Sequence, residues 1–181
     1  MYFSDPYAIT EKKLRELVDG KVLEQETLEY KRLIHGDEDL ETREFLADVS
    51  SFANTRGGHI IYGIAEEDGV PARLCGTGLG DSEVDAAILR LDSQIRDGIE
   101  PRIPDVRIMP VCLRTGAWCI VIHVPPSYRA PHRVIFKGHG HFYARASNGK
   151  HRMDVDELRD QFLRNAGAHW SEKADCRAAG R

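Results

Sequence analysis

No apolar run in the 181-residue chain approaches the ~18 residues that a membrane-spanning helix needs, and the opening MYFSDPYAIT lacks the basic-then-apolar order of a secretory leader. These absences predict a soluble, cytoplasmic protein with no membrane partner. The cysteines, Cys75, Cys112, Cys119 and Cys176, form no C-x-x-C pair, so free thiols are expected and a structural zinc is not. There is no G-x-x-x-x-G-K-[ST] segment, which argues against an ATP site of the P-loop kind. The G-T-G-L-G run ending at Gly80 lacks the spacing and the flanking β-α-β unit of a dinucleotide fingerprint and reads as a loop. What is present is ordinary for one globular domain: 41% hydrophobic and 30% charged residues in a chain too short for two cores of normal size. We expect one domain over residues 1–165 and a non-periodic tail over 166–181.

A further absence is local. Between Asp105 and Asp154 there is no acidic residue, while Arg107, Arg114, Arg129, Arg133, Lys137, Arg145, Lys150 and Arg152 all fall there. That is +8 in 48 residues of a chain whose net charge is −4, so the remainder carries −12. Five of the eight histidines, including His132, lie in the same stretch. Such a segment either pairs with the acidic remainder or presents a face to a polyanion, where each contacted phosphate releases a counterion. The second reading makes Arg129, His132, Arg133, Lys137, Arg145, Lys150 and Arg152 candidate nucleic-acid contacts.

Periodicity supplies the elements. Leu14, Leu17 and Val18 mark a short helix after Thr10, and Leu28 and Tyr30 alternate with Glu29 and Lys31 as in a strand. Phe45, Leu46, Val49, Phe52 and Ala53 recur at helical spacing up to Gly57-Gly58, and His59 to Ile64 suits a buried strand that delivers acids at its end. A third helix starts at Asp81 or Ser82 and carries Val84, Ile88, Leu91 and Ile95. Strands follow over 106–113, 118–124, 134–137 and 142–146, with Pro110 pointing to an edge. Asp154 and Glu157 form a capping box for a last helix bearing Val155, Leu158, Phe162 and Leu163. The fold class is α+β, with mixed, mainly antiparallel sheets and flanking helices.

Two clusters could carry chemistry. His139 and His141 could share a strand face, but two ligands without a third seldom hold a metal, and their cationic surroundings suit a phosphate contact better. Glu29-Tyr30-Lys31 puts a carboxylate and an ammonium side by side, able to hold Mg2+ or Mn2+ through hard oxygens and to steady developing phosphorane charge. On its own, alternating Glu and Lys on an exposed strand is also an ordinary solvated face.

The wider pattern is more specific. Glu24-x-x-Thr27-Leu28-Glu29-Tyr30-Lys31-Arg32 is followed by Phe52-Ala53-Asn54-Thr55-x-Gly57-Gly58-His59-Ile60-Ile61-Tyr62-Gly63-Ile64-Ala65-Glu66, then by Val124-Pro125-Pro126-Ser127 with Ala130-Pro131-His132, and by Phe142-Tyr143-Ala144-Arg145-Ala146-Ser147. Together these resemble the AlbA_2 domain of the Schlafen family over roughly residues 10 to 165. The resemblance implies a metal-dependent endoribonuclease acting on structured RNA such as tRNA. Glu24, Glu29 and Glu66 would hold Mg2+ or Mn2+, with Glu67 and Asp68 open as alternatives for the third acid, and Lys31 would stabilise the transition state. The alternative is a non-catalytic DNA- or RNA-binding module. Larger family members resemble two such lobes in one chain, so a homodimer with a shared groove is expected here. Asn54, Gly57 and Gly58 read as mainly structural, ending a helix and allowing a tight entry to a strand.

Overall fold

The computed structural model describes residues 9–36, 38–147 and 149–165. The tail expected at 166–181 lies outside them. The architecture is α+β. In chain order the elements are α1 (Glu11–Asp19), β1 (Leu28–Lys31), α2 (Asp39–Ala53), β2 (Gly58–Tyr62), β3 (Ile64–Glu67), β4 (Val70–Leu74), α3 (Asp81–Gly98), β5 (Ile99–Glu100), β6 (Arg107–Cys112), β7 (Trp118–Val124), β8 (Arg133–Val134), β9 (His141–Ala146), β10 (Gly149–Arg152) and a helix over 155–165, called α4. No helix among the described residues is long and apolar enough to cross a membrane.

A four-stranded sheet ordered β1-β2-β7-β6 forms the centre, with β1 parallel to β2 and the other neighbours antiparallel. Pro110 lies in β6, at the edge, where a missing N–H does least harm. One face of this sheet packs Leu28, Tyr30, Ile61 and Val121 against Leu14 and Leu17 of α1. The opposite face packs Ile60, Tyr62, Ile120 and Ile122 against α2 and α3. Because side chains alternate along a strand, sinking Leu28 and Tyr30 toward α1 turns Glu29 and Lys31 toward α2. A second, antiparallel sheet ordered β10-β9-β8-β5 lies against α2, and β3 and β4 form a hairpin.

Several boundaries differ from expectation for local reasons. Helix α2 starts at Asp39 because Asp39 and Glu41 occupy its first turn, where negative charge suits the helix dipole. The strand expected over 134–137 stops at Val134, since Lys137 takes a left-handed conformation (φ 46°) in a 3-10 turn. Strand β10 has no apolar alternation to announce it; its sequence is GKHR. At α4 the capping box is reciprocal: Asp154 Oδ1 accepts from the Glu157 N–H at 2.8 Å, and Glu157 Oε2 from the Asp154 N–H at 2.9 Å.

The motif residues Asn54, Gly57 and Gly58 tie these layers together. Asn54 Oδ1 accepts from the His132 N–H at 2.7 Å, and its Nδ2 donates to the His132 and Tyr143 carbonyls at 3.0 and 2.9 Å. One side chain thus fastens the end of α2 to the second sheet. Gly58 lies against Phe52 so closely that a Cβ there would sit 2.4 Å from the ring, and Gly57 adopts φ +70°. No larger residue fits this corner.

On the α1 side, His59 and His123 face each other across β2 and β7, with Nδ1 of His123 3.1 Å from Nε2 of His59. Burial and the neighbouring ring push the His59 pKa down from 6.5 to about 3. The unfolded chain therefore binds a proton near pH 6.5 that the folded chain refuses, so this part of the stability is present above pH 6.5 and is lost as pH falls toward 3. At about pH 5 the loss is of the order of 2 kcal/mol. Urea unfolding of the wild type and a His59→Leu variant checks it: the stability difference between them should change by that amount between neutral pH and pH 5. A pH-independent difference would refute the assignment.

Candidate active site

Three layers meet at Glu29. The carboxylate projects from β1 toward α2, and Lys31, two residues on and on the same face, places Nζ 2.7 Å from its Oε1. Arg145 of β9 ion-pairs with the other oxygen, Oε2, through Nη2. Burial would raise the Glu29 pKa, but the two cations outweigh it and hold the carboxyl below its ordinary range.

Asp48 of α2 sits beneath this pair. Its Oδ1 is 3.0 Å from Lys150 Nζ and 3.8 Å from Arg145 Nη1, and its Oδ2 is 3.9 Å from Lys31 Nζ. Three cations therefore surround one buried acid. Burial nevertheless dominates and raises the Asp48 pKa. Lys150 also meets Glu44, one helical turn before Asp48, at 2.8 Å. Burial works against the charge on Lys31, but Asp48 and Glu29 outweigh it and raise its pKa, so the ammonium stays protonated. Arg145 and Lys150 are cross-strand partners in the β9–β10 ladder, which is why both reach the same acids.

Glu24 precedes β1 and accepts the Tyr30 N–H at 2.7 Å through Oε1. Its own N–H donates to the Gly69 carbonyl at 2.8 Å, which fastens the β3–β4 turn beside it. Burial first, then the charges of Glu29 and Glu66, raise the Glu24 pKa. Glu66 is exposed and accepts the Gly69 N–H at 2.7 Å. Glu67 and Asp68 are exposed too, and neither is among the main charges acting on Glu24. A cavity of about 650 Å³ opens over Glu24, Glu29, Lys31, Asp48, Arg145 and Lys150, within the range of small-molecule sites.

The candidate phosphate contacts do not form one strip. Arg145 is buried with 4% of its side chain exposed, its guanidinium 4.2 Å from the Phe52 ring centroid, and Lys150 is nearly as enclosed. Both belong to the acid cluster. His132 is fully buried, with Nδ1 2.6 Å from the Pro101 carbonyl, and so offers nothing to a surface ligand. Arg133 pairs with Glu100 at 3.0 Å and Lys137 with Asp39 at 2.6 Å, both at the surface. Arg129 and Arg152 are exposed.

Asp48 and Glu44 escaped the sequence reading. The available signal was an aspartate inside the apolar face of α2, between Leu46 and Val49, one turn after a glutamate. A carboxylate in that position is buried and must find cations.

The fold and this cluster define a chain with a buried acid–base centre on an α+β frame. Residues 24–154 match the family model described as Schlafen, AlbA_2, and the chain belongs to that family. Among solved structures it is similar to the DIP2311 protein from Corynebacterium diphtheriae, with 22% identity and a TM-score of 0.52 over 80% of this chain and 29% of that one. It also resembles the N-terminal domain of a putative ATP-dependent DNA helicase RecG-related protein from Nitrosomonas europaea, at 21% identity and a TM-score of 0.45, over 62% of this chain and 70% of that one. The chain thus spans less than a third of the DIP2311 protein. A comparison with curated proteins found no match.

Proposed function

We propose that the chain is a metal-dependent endoribonuclease acting on structured RNA such as tRNA. The observation that carries this reading is Glu29, held ionised between Lys31 and Arg145 at the floor of an open cavity, with Glu24 beside it. Among the described residues no three His, Cys, Asp or Glu side chains stand together as a ready-made metal cage. Mg2+ is, however, commonly held by one or two carboxylates together with the substrate's phosphate oxygens. Glu24 and Glu29, close enough for one charge to act on the other, fit that pattern, with Glu66 near the end of β3 as the third acid. Mg2+ or Mn2+ bound there would supply Lewis acidity and an activated water. Lys31 remains charged at neutral pH and faces the phosphate, where it stabilises charge developing on the non-bridging oxygens. Arg145 orients Glu29 from behind, and Asp48 holds Lys31, Arg145 and Lys150 in place. Exposed Arg129 and Arg152 add phosphate contacts that position the RNA without reading its bases.

The test is incubation of total tRNA with Mn2+, with and without chelator, beside a Glu29→Gln variant. Cleavage abolished by chelator and reduced about a hundredfold or more in the variant is the expected result. Cleavage insensitive to both refutes the reading.

One observation favours a second reading, a non-catalytic nucleic-acid-binding module: both oxygens of Glu29 are already engaged by cations. Retained RNA binding without cleavage would select it. We also propose a homodimer, supported by Val155, Phe162 and Leu163, which α4 leaves more than half exposed. Light scattering should give twice the chain mass.

A further inference from the structure

The cavity over Glu29 is acidic. Glu24, Glu29, Glu41, Glu44 and Asp48 line it against three cations, Lys31, Arg145 and Lys150. A polyanion cannot be anchored mainly there, because the surplus negative charge repels its phosphates. Anchorage has to come from a neighbouring surface of the opposite balance.

Such a surface exists on the far side of Arg145. A second cavity of about 500 Å³ shares that residue as a wall and is bordered by Arg56, just after α2, and Arg164, on α4. Arg145 is already spent on Glu29 and Asp48, which leaves Arg56 and Arg164 against two acids, Glu26 and Glu157. Glu157 is itself occupied by His151 at 2.9 Å and by the cap of α4. Arg56 and Arg164 are both exposed and loosely held: Arg56 Nη1 is 3.7 Å from Glu26 Oε2, and Arg164 Nε is 3.3 Å from the Asp160 carbonyl. A smaller recess of about 230 Å³, also lined by Glu24, Glu29 and Arg145, adjoins the same wall.

We propose that the second cavity is a subsite for the phosphodiester flanking the reacting one, with Arg56 and Arg164 as its phosphate ligands. It rests on the nuclease reading, since it takes the RNA strand to run from the Glu29 cavity past Arg145 into this one. The Asn54 and Gln161 side chains on its wall are spent on internal bonds, Asn54 to His132 and Tyr143 and Gln161 to the Asn54 carbonyl at 2.6 Å. The two arginines are therefore what the wall offers to a ligand, and they recognise phosphate rather than base.

The test measures the affinity of a short labelled single-stranded RNA at low and moderate salt, in a Glu29→Gln background that blocks cleavage. Three proteins are compared: that background alone, the background with Arg56→Ala and Arg164→Ala, and the background with Lys12→Ala, a cation exposed on α1. The double arginine change should weaken binding about tenfold or more and lower the log–log salt slope by roughly one to two, equally for unrelated sequences, while Lys12→Ala changes neither. In the cleavage-competent protein the same pair should raise KM and leave kcat nearly unchanged. Binding and slope unaltered by the arginine changes, with cleavage intact in the wild type, overturn the subsite alone. A wild type that neither binds nor cleaves RNA overturns the subsite and the nuclease reading together.

Discussion

Replacing Asn54 by alanine is expected to destabilise the fold by about 3–5 kcal/mol, a large share of the stability of an ordinary domain. The side chain is buried and makes three hydrogen bonds to the second sheet, one accepted from the His132 N–H and two donated to the His132 and Tyr143 carbonyls. Alanine strands all three backbone groups, each at about 1–3 kcal/mol. In a chain of this size the melting temperature should fall by about 10 °C or more. Asn54→Asp keeps the acceptor for His132 N–H but aims a carboxylate at two carbonyl oxygens, so it should not rescue. Thermal and urea unfolding of both variants check this, and a loss below about 1 kcal/mol for either would mean that the second sheet is held to α2 by packing alone.

Asn54 also illustrates how far the sequence could be read. Its place at the end of a helix, before two glycines, was visible from periodicity, and so was its structural character. Its partners were not, because they lie 78 and 89 residues away along the chain. Local pattern reports which face a residue takes, not what a remote strand brings to it. The same limit governs the site. Alternation at 28–31 put Glu29 and Lys31 on one face, and their ion pair follows from that spacing alone. Arg145 and Lys150 were legible as basic residues but were assigned to an exposed strip, since charge is normally solvated. Arg145 is buried and Lys150 largely enclosed because β10, which carries no hydrophobic signal, pairs with β9 and turns both side chains onto Glu29 and Asp48. The acid-free half of the sequence thus serves largely to neutralise acids from the other half: Lys137, Arg133, Arg145 and Lys150 all end on carboxylates. Of the two readings open for that segment, internal pairing accounts for these four positions, while Arg129 and Arg152 are left to solvent.

Arg145→Met is expected to be nearly as costly, and its cost should depend on pH in a way that identifies the cause. The change keeps much of the side-chain volume over Phe52 but removes the guanidinium that lies between Glu29 and Asp48, two acids whose side chains are 13% and 7% exposed. Removing one partner of a buried charge pair costs about 3–5 kcal/mol, because the remaining charge is left without compensation. In the wild type Glu29 titrates below 4.5, so it contributes stability above that pH and loses it as pH falls through its folded pKa. Without Arg145, Glu29 keeps Lys31 alone and Asp48 keeps Lys31 and Lys150, so the folded-state pKa of Glu29 is expected to rise above that of the unfolded chain and that of Asp48, already raised by burial, to rise further. The variant then loses stability as pH increases, the reverse of the Glu29 contribution in the wild type. The gap between the two proteins should be smaller at pH 4 than at pH 7 and widen between them. Urea unfolding at both pH values decides the matter. A gap that stays constant would show that Arg145 acts through its contact with the Phe52 ring, and the charge cluster would then lose its claim to hold Glu29 in place.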